Sequence, residues 1–262
     1  MSSEKRGGLA DVRRTTGFST PGIATFAIGR LSDAPLQYLL FTQGWAVKGL
    51  TAVGLRASNL LVTAGPGIAG LGPIPSLLTG MYALQGLHHA YWVFFTSNYR
   101  ISPGSGLQVS AFNGTMNTFN TLVAVHALTS SPQPILGSFA ECIGWKQYAG
   151  LALFALGISI EFIAEQSRKA FKKDLKNKGK IDDTGLWSVV RHPNYLGYAL
   201  WRIGTTLVTG SLGGTVFMAG IQLASFYGSS IPELSDYMAS RYGAQWNDYK
   251  RRVPYALVPG IL

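Results

Sequence analysis

A cluster of four polar residues stands immediately before an apolar stretch of the sequence: Arg191, His192, Asn194 and Tyr195. Pro193 prevents a simple helix from running through them, so the backbone bends and their side chains can converge. Arginine offers a planar fork for phosphate, and asparagine and tyrosine add directed hydrogen bonds. The pattern is typical of a site for an anionic cofactor. A snorkelling arginine in an aromatic belt at a membrane surface is the alternative interpretation.

A second polar region lies near the C-terminus. It contains Glu233, Asp236, Tyr237, Arg241, Tyr242, Trp246, Asp248, Tyr249, Lys250, Arg251 and Arg252. The region ends in the proline-bounded tail RRVPYALVPGIL, which we expect to pack back against the domain. The alternative is an ordinary amphipathic helix on the cytosolic side.

A basic segment, residues 168–180 (RKAFKKDLKNKGK), precedes the first cluster. Such a segment beside a membrane span either anchors the chain on anionic lipid or contributes cations to a neighbouring cofactor site. The sequence leaves both interpretations open.

Three further candidates, His88, His89 and Tyr91, lie within an otherwise apolar stretch. Polar side chains inside a membrane are expensive and often functional, although a hydrogen bond between helices would also account for them. On a helix His88 and Tyr91 share a face because they are three residues apart, whereas His89 points elsewhere.

The composition predicts a membrane setting for these clusters. Hydrophobic residues make up 47% of the chain and charged residues only 13%, whereas a soluble domain carries about 25% charged residues. The net charge of +10 comes from residues placed between apolar stretches, which argues against a nucleic-acid binder. A single cysteine, Cys142, excludes an internal disulfide and a multi-cysteine zinc site, and we expect no metal.

Hydropathy predicts an all-α integral membrane protein with about six transmembrane helices and a cytosol-facing cofactor pocket in the C-terminal half. The spans are expected at residues 34–56, 76–98, 107–130, 147–167, 196–211 and 213–232, with a re-entrant or interfacial loop at 61–75. The domain prediction is a cytosolic N-terminal segment, residues 1–33, and a single membrane domain, residues 34–262. Within that domain, about residues 147–262 carry the two polar clusters.

The distribution of basic residues predicts the orientation. With both termini in the cytosol, 18 of the 22 lysines and arginines fall on the cytosolic side, as the positive-inside rule requires. The exceptions are Lys48, Arg56, Lys146 and Arg202.

The order of these motifs carries a family resemblance. An apolar span is followed by EFIAEQSRKAFK, a basic loop, DDTGLWSVVRHPNYLGY, two spans and RYGAQWNDYKRRVPYALVPGI. This arrangement resembles the steroid 5α-reductase superfamily, and most closely its DUF1295 branch. Sterol C14 and C7 reductases share similar RHPNY and RRVPY elements, and isoprenylcysteine carboxyl methyltransferases share an RHPxYxG turn with a KRVP tail. The stretch LQGLHHAYWVFFTSNYRISP is also similar to a reductase segment.

The resemblance implies an NADPH-dependent membrane reductase that acts on a polarised C=C bond of a lipophilic sterol, terpenoid or acyl enone. It makes about residues 147–262 the reductase-like region and implies that ten residues bind the cofactor. The candidates for its phosphates are Lys172, Arg191, Arg241 and Arg252, and those for its sugars and amides are Glu165, His192, Asn194, Tyr195, Tyr237 and Tyr249. His89, with Tyr91 as a second candidate, would stabilise the enolate oxygen, and Asn59 falls near the position of a reductase glutamate. Tyr198 stands where reductases usually carry a carboxylate.

The same residues are compatible with other functions. A methyltransferase could bind S-adenosylmethionine in the same C-terminal pocket, and an isomerase or cyclase could have lost the redox chemistry. A non-catalytic scaffold is a further alternative. The expected partners are a lipophilic small molecule and the bilayer, with no nucleic acid, and the expected location in a eukaryote is the endoplasmic reticulum membrane.

Overall fold

The computed structural model describes residues 17–130 and 137–261. Residues 1–16, which belong to the predicted cytosolic segment 1–33, lie outside the described residues. Throughout the described ranges the regular elements are helical, apart from isolated bridge residues at Tyr99, Val258 and Ile261. The all-helical fold class is therefore confirmed.

The chain divides into two compact units. The first comprises Met1–Tyr148 with Val208–Ser211, and the second comprises Ala149–Leu207 with Leu212–Leu262. The prediction of a single membrane domain over residues 34–262 is not tested by this division and stays a prediction.

The first unit contains α1 (Thr20–Leu31), α2 (Asp33–Thr42), α3 (Trp45–Ala52), α4 (Asn59–Thr63), α5 (Pro73–Tyr91) and α6 (Pro103–Ser130). The Ser19 side chain accepts a hydrogen bond from the Gly22 amide, and Pro21 stands in the first turn of α1, so both favour a helix start there. Helix α1 packs mainly against α6 and α5. A π-helical turn, Trp92–Thr96, continues α5.

The predicted spans 76–98 and 107–130 coincide with α5 and α6. The predicted span 34–56 is wrong as a single helix, because α2 and α3 are separated at Gln43–Gly44. Gly44 has φ = 67° and Cβ-bearing residues avoid this left-handed conformation, so the chain breaks here despite its continuous apolar character.

The second unit contains most of α7 (Trp145–Lys173) and of α8 (Pro193–Val208), followed by α9 (Leu212–Ser225), α10 (Ile231–Tyr242) and α11 (Ala244–Arg252). A π-helical turn, Phe226–Ser230, joins α9 to α10, and 3₁₀ turns occur at Leu175–Asn177 and Gly185–Ser188. The chain reverses at residues 209–211, close to the boundary between the predicted spans 196–211 and 213–232.

Two glycines allow α7 and α8 to approach closely. A Cβ on Gly157 would lie 2.4 Å from the Trp201 backbone nitrogen, and a Cβ on Gly197 would lie 2.5 Å from the Glu161 nitrogen. Small residues permit such contacts between helix backbones in membrane proteins. The contact brings the carboxylates of α7 within reach of α8.

One helix in the described ranges, Trp145–Lys173, is long and apolar enough to cross a membrane by length and composition. Helix α6 is nearly as long, at 28 residues, but it carries Asn113, Asn117 and Asn120, which are all buried. The prediction of six spans with cytosolic termini stays a prediction. Arg30 is one of the 18 basic residues assigned to the cytosolic side. It is 0% exposed inside the first unit and therefore gives no support to that orientation.

Candidate functional site

A buried carboxylate organises the contact between α7 and α8. Glu165 accepts a hydrogen bond from Asn194 Nδ2 at 2.9 Å and one from Arg168 at 2.6 Å. Both Glu165 and Asn194 were predicted as cofactor-binding residues, and the structure brings them into direct contact. Since hydrogen bonds to a charged group are stronger than neutral ones, this contact fixes the orientation of the Asn194 amide.

A second carboxylate, Glu161, was not predicted. It accepts a hydrogen bond from Trp201 Nε1 at 2.6 Å, and the Trp201 side chain is fully buried. The sequence spacing could have predicted it, because Glu161 and Glu165 are four residues apart and therefore share one face of a helix. Two carboxylates therefore face α8 along one edge of α7.

The RHPNY turn and the C-terminal tail are bonded to each other. The Arg191 amide donates to the Tyr255 carbonyl at 2.9 Å, and the His192 amide donates to the Ala256 carbonyl at 3.0 Å. The Arg191 guanidinium donates to the carbonyls of Val253, at 2.9 Å, and Pro254. The two family motifs are thus partners in one structure, and the tail packs back as predicted.

Burial lowers the pKa of the Arg191 guanidinium below its usual value. The group still remains charged at neutral pH, because an unperturbed arginine titrates far above that range. Its charge is directed at carbonyl oxygens of this chain.

Aromatic rings stack beside this turn. The His192 and Tyr195 rings stack with centroids 5.2 Å apart, and Tyr195 stacks on Phe226 at 4.9 Å with an interplanar angle of 2°. Phe226 begins the π-helical turn between α9 and α10, a local distortion that often occurs at functional sites. Phe226 was not predicted, because no periodic sequence signal marks a π turn.

The remaining cations that were predicted to bind phosphate also have protein partners. Lys172 donates to the Tyr242 hydroxyl at 3.2 Å, and Arg241 donates to the Tyr237 hydroxyl at 2.9 Å. Burial by itself would raise the pKa of Tyr242, but its hydrogen bond with Lys172 and its interaction with Arg241 lower it below the usual value. Two cations therefore converge on one phenol.

Arg252 and Tyr249 bind the loop before the turn. Arg252 lies 2.6 Å from Asp183 and 3.0 Å from Asp248, and these contacts raise its pKa. The Tyr249 hydroxyl donates to the Trp187 carbonyl at 2.6 Å, and burial raises the pKa of this tyrosine well above its usual value. Trp187 in turn donates from Nε1 to the Ala164 carbonyl, 3.1 Å away.

Tyr198 stands where reductases usually carry a carboxylate. Its hydroxyl accepts a hydrogen bond from Arg202 Nε at 3.2 Å, and the Arg202 guanidinium lies 4.5 Å from the Trp201 ring centroid. Arg202 is fully buried. An arginine at this depth next to a phenol differs from the acidic arrangement that the resemblance to reductases implies.

The first unit contains a separate buried polar network around His89. Arg30 Nε donates to His89 Nδ1 at 2.9 Å, and Arg30 also pairs with Asp33 at 3.2 Å. Because Nδ1 accepts this bond, a neutral His89 carries its proton on Nε2. His89 is therefore held as a hydrogen-bond donor at that atom.

The network extends across four helices. Asp33 accepts from Asn117 at 2.6 Å and from Gln37 at 3.0 Å. Asn117 also donates to Gln85 at 3.0 Å, and Thr121 donates to Gln37 at 2.8 Å. A buried ion pair is tolerated when further hydrogen bonds satisfy its remaining polar atoms, and here Asn117 and Gln37 satisfy the two oxygens of Asp33. Neither Arg30 nor Asp33 was predicted, because a charged pair at the edge of an apolar stretch resembles an ordinary helix boundary.

The two other catalytic candidates lie elsewhere in the first unit. Tyr91 is 40% exposed and packs against Phe95 with ring centroids 5.1 Å apart, whereas His89 is buried, as their positions on one helix require. Asn59 is the exposed first residue of α4, and its amide lies against Gly44. The catalytic roles of His89, Tyr91 and Asn59 stay predictions.

The family model described as "Protein of unknown function (DUF1295)" matches residues 112–253, which is more than half of the chain. The chain belongs to the DUF1295 family. This membership places it in the steroid 5α-reductase-like superfamily and confirms the resemblance drawn from the RHPNY turn and the RRVPY tail.

Relatives of this DUF1295 protein include enzymes of two kinds. The chain is 29% identical over 233 residues to "Probable O-methyltransferase ustE" of Ustilaginoidea virens, covering 85% of the chain and 80% of that protein. It is 23% identical over 194 residues to the protein-S-isoprenylcysteine O-methyltransferase of Schizosaccharomyces pombe, covering 67% and 80%. It is 24% identical over 129 residues to the Delta(14)-sterol reductase ERG24 of Saccharomyces cerevisiae, covering 45% and 30%.

A solved structure has a similar fold. The eukaryotic intramembrane Ras methyltransferase ICMT matches with a TM-score of 0.56 at 16% sequence identity, over 93% of this chain and 99% of that one. This match shows a shared fold. Together with the relatives, it makes this DUF1295 protein a helical membrane enzyme of the superfamily that contains isoprenylcysteine methyltransferases and sterol reductases.

Proposed function

We propose that the protein is an O-methyltransferase of the membrane that uses S-adenosylmethionine to methylate a lipophilic acceptor. The observation that carries the proposal is the engagement of Arg191: its guanidinium binds the carbonyls of Val253 and Pro254. Both hydrogen bonds are donated by Nη1, so a pyrophosphate could bind this arginine only through Nε and Nη2. NADPH reduction, the function that the resemblance to reductases implies, needs this cation for phosphate.

The relatives support the same choice. The two relatives reported above that cover two thirds or more of this chain are named as O-methyltransferases, whereas the sterol reductase covers less than half of it. The pairing of Tyr198 with Arg202, in place of a carboxylate, also departs from the reductase pattern.

The residues of the second unit fit S-adenosylmethionine. The cofactor carries an ammonium, a carboxylate and an adenine, which require an acceptor, a donor and a flat surface. Glu165 supplies the negative charge, and Asn194 has a second N–H that its bond to Glu165 does not use. Tyr195 lies between His192 and Phe226, so the adenine would have to lie against the outer face of one of those two rings. The cofactor supplies an electrophilic methyl group when bound.

This chain's own residues would then position and shield the reacting groups. The tail, bonded through Arg191 and His192, excludes water from one side of the turn. The location in the endoplasmic reticulum membrane, with the C-terminal motifs facing the cytosol, belongs to the same proposal.

A reductase remains the second candidate because Lys172 and Arg241 converge on Tyr242. This local excess of positive charge would suit an anionic cofactor. The sterol reductase relative belongs to this alternative.

Calorimetry on the detergent-solubilised full chain distinguishes the two. We expect S-adenosylmethionine and S-adenosylhomocysteine to bind and NADPH to give no signal. Asn194→Ala should weaken binding about 10- to 150-fold, the worth of one charged hydrogen bond. Gln245→Ala, an exposed change on α11, is the matched control. Binding of NADPH without binding of S-adenosylmethionine would replace this proposal with the reductase.

A further inference from the structure

The basic segment after α7 carries an apolar side chain in an unusual position. Leu175 is 85% exposed, more than any other large apolar side chain in the described ranges. It stands among Lys173, Lys176 and Lys178, which are also exposed. An exposed leucine surrounded by lysines is costly in water but suits the boundary between lipid headgroups and acyl chains.

The lysines of this segment are available to a partner. Within the part of the chain that the structure describes, the side chains of Lys173, Lys176 and Lys178 make no hydrogen bond or ion pair. The one carboxylate of the segment, Asp174, accepts a hydrogen bond from the Lys176 amide at 2.9 Å. The segment therefore presents uncompensated positive charge.

The length of α7 places this segment near the membrane surface. Its 29 residues span about 43 Å at 1.5 Å per residue, whereas the hydrocarbon core is about 30 Å thick. Trp145, at the start of α7, is 65% exposed and suits one interface. About 20 residues then cross the core, so the last turns of α7 extend through the opposite headgroup layer.

The chain then folds back along the end of α7. Asn177 Nδ2 donates to the Phe171 carbonyl at 3.2 Å, and Lys172 Nζ donates to the Lys180 carbonyl. The 3₁₀ turn Leu175–Asn177 therefore lies beside the last turn of the helix instead of continuing away from the membrane. This geometry keeps Leu175 close to the last turn of α7.

We propose that residues 173–178 form a surface-binding element for anionic lipid, in which the three lysines contact headgroups and Leu175 inserts at the acyl boundary. This element is independent of the group that the enzyme transfers. The basic segment was interpreted either as a lipid anchor or as a source of cations for the cofactor site. The exposed leucine favours the lipid anchor, because a soluble phosphate would not contact an apolar side chain.

The test uses a fluorescent label on the full chain. Cys142, the chain's one cysteine, is buried, so Leu175→Cys is labelled selectively with an environment-sensitive dye. The labelled protein is reconstituted in phosphatidylcholine vesicles with and without phosphatidylserine. We expect emission at a shorter wavelength when phosphatidylserine is present. Gln245→Cys, an exposed position on α11, is the matched control and should not respond.

The charge dependence is tested with Lys173→Gln, Lys176→Gln and Lys178→Gln combined. This variant should lower the affinity for phosphatidylserine about tenfold or more, with unchanged helicity by circular dichroism. The second variant, Lys176→Glu alone, should also lower the affinity for phosphatidylserine. An equal response at residue 245, an unchanged response in the lysine variants, or a response to inorganic phosphate alone would each overturn the proposal.

Discussion

The network around His89 in the first unit and the RHPNY turn in the second unit hold their polar residues in different ways. In the first unit, Arg30, Asp33 and His89 are bonded side chain to side chain across helices. In the second unit, Arg191 and Tyr249 are bonded to backbone carbonyls of the tail and the loop. The side-chain network around His89 therefore fixes helices relative to one another, whereas the turn at Arg191 depends on the tail being in place. Four changes test this comparison.

The largest effect is expected from Asp33→Ala. It leaves the Arg30 guanidinium buried without its carboxylate, and such a loss destabilises by about 3–5 kcal/mol. Thermal unfolding in detergent measures it. Asp33→Asn, which keeps the size and one acceptor oxygen, should cost less. If Asp33→Ala and Arg30→Gln had additive effects, the two side chains would not be coupled.

The next effect concerns the contact between α7 and α8. Gly157→Ala places a methyl group 2.4 Å from the Trp201 nitrogen, so the helices must separate. Overpacking of this kind costs about 1–3 kcal/mol, and S-adenosylmethionine binding should weaken as Glu165 moves from Asn194. Gly220→Ala on α9, where a Cβ meets nothing within 4 Å, is the control. Equal melting temperatures for the two variants would contradict the close contact.

A comparable or smaller effect is expected at the tail. Arg191→Ala removes charged hydrogen bonds to two carbonyls, a loss of about 1.5–3 kcal/mol. Without any cofactor, amide exchange at His192, which bonds to the Ala256 carbonyl, should accelerate about 10- to 150-fold. Arg251→Ala, an exposed ion-pair change, should leave it unchanged. If amide exchange at His192 had the same rate in Arg191→Ala as in the original protein, Arg191 would not be holding the tail. A role in binding phosphate would then again be expected for this arginine.

The smallest effect is expected for Tyr249→Phe, which removes one hydrogen bond to the Trp187 carbonyl and costs about 1 kcal/mol. Burial raises the pKa of Tyr249 in the folded state above the ordinary value of about 10. Its protonated form is therefore favoured by folding, so stability is full below pH 10 and falls as the pH rises above it. Melting temperatures on the alkaline side should fall less steeply in Tyr249→Phe. Parallel curves would show that this tyrosine does not control the alkaline transition.

Much of the architecture follows from local sequence. The apolar stretches at 76–98 and 107–130 predicted α5 and α6 because continuous apolar character favours long helices in lipid. The RHPNY turn was predicted because proline breaks a helix, and its resemblance to the superfamily is confirmed by the family match. By contrast, the break at Gln43–Gly44 was missed, since hydropathy averages over a glycine turn.

The sequence by itself determined the helical class, the family and the clusters around Arg191 and His89. Only the tertiary structure decided what those side chains bind. Arg191 was assigned to phosphate because its chemistry suits phosphate, yet it binds the tail carbonyls, which lie about 60 residues further along the chain. The Nδ1 of His89 is likewise taken by Arg30, 59 residues earlier. Side-chain type limits which partners are possible, but the partner is chosen by packing between segments that are distant in the sequence.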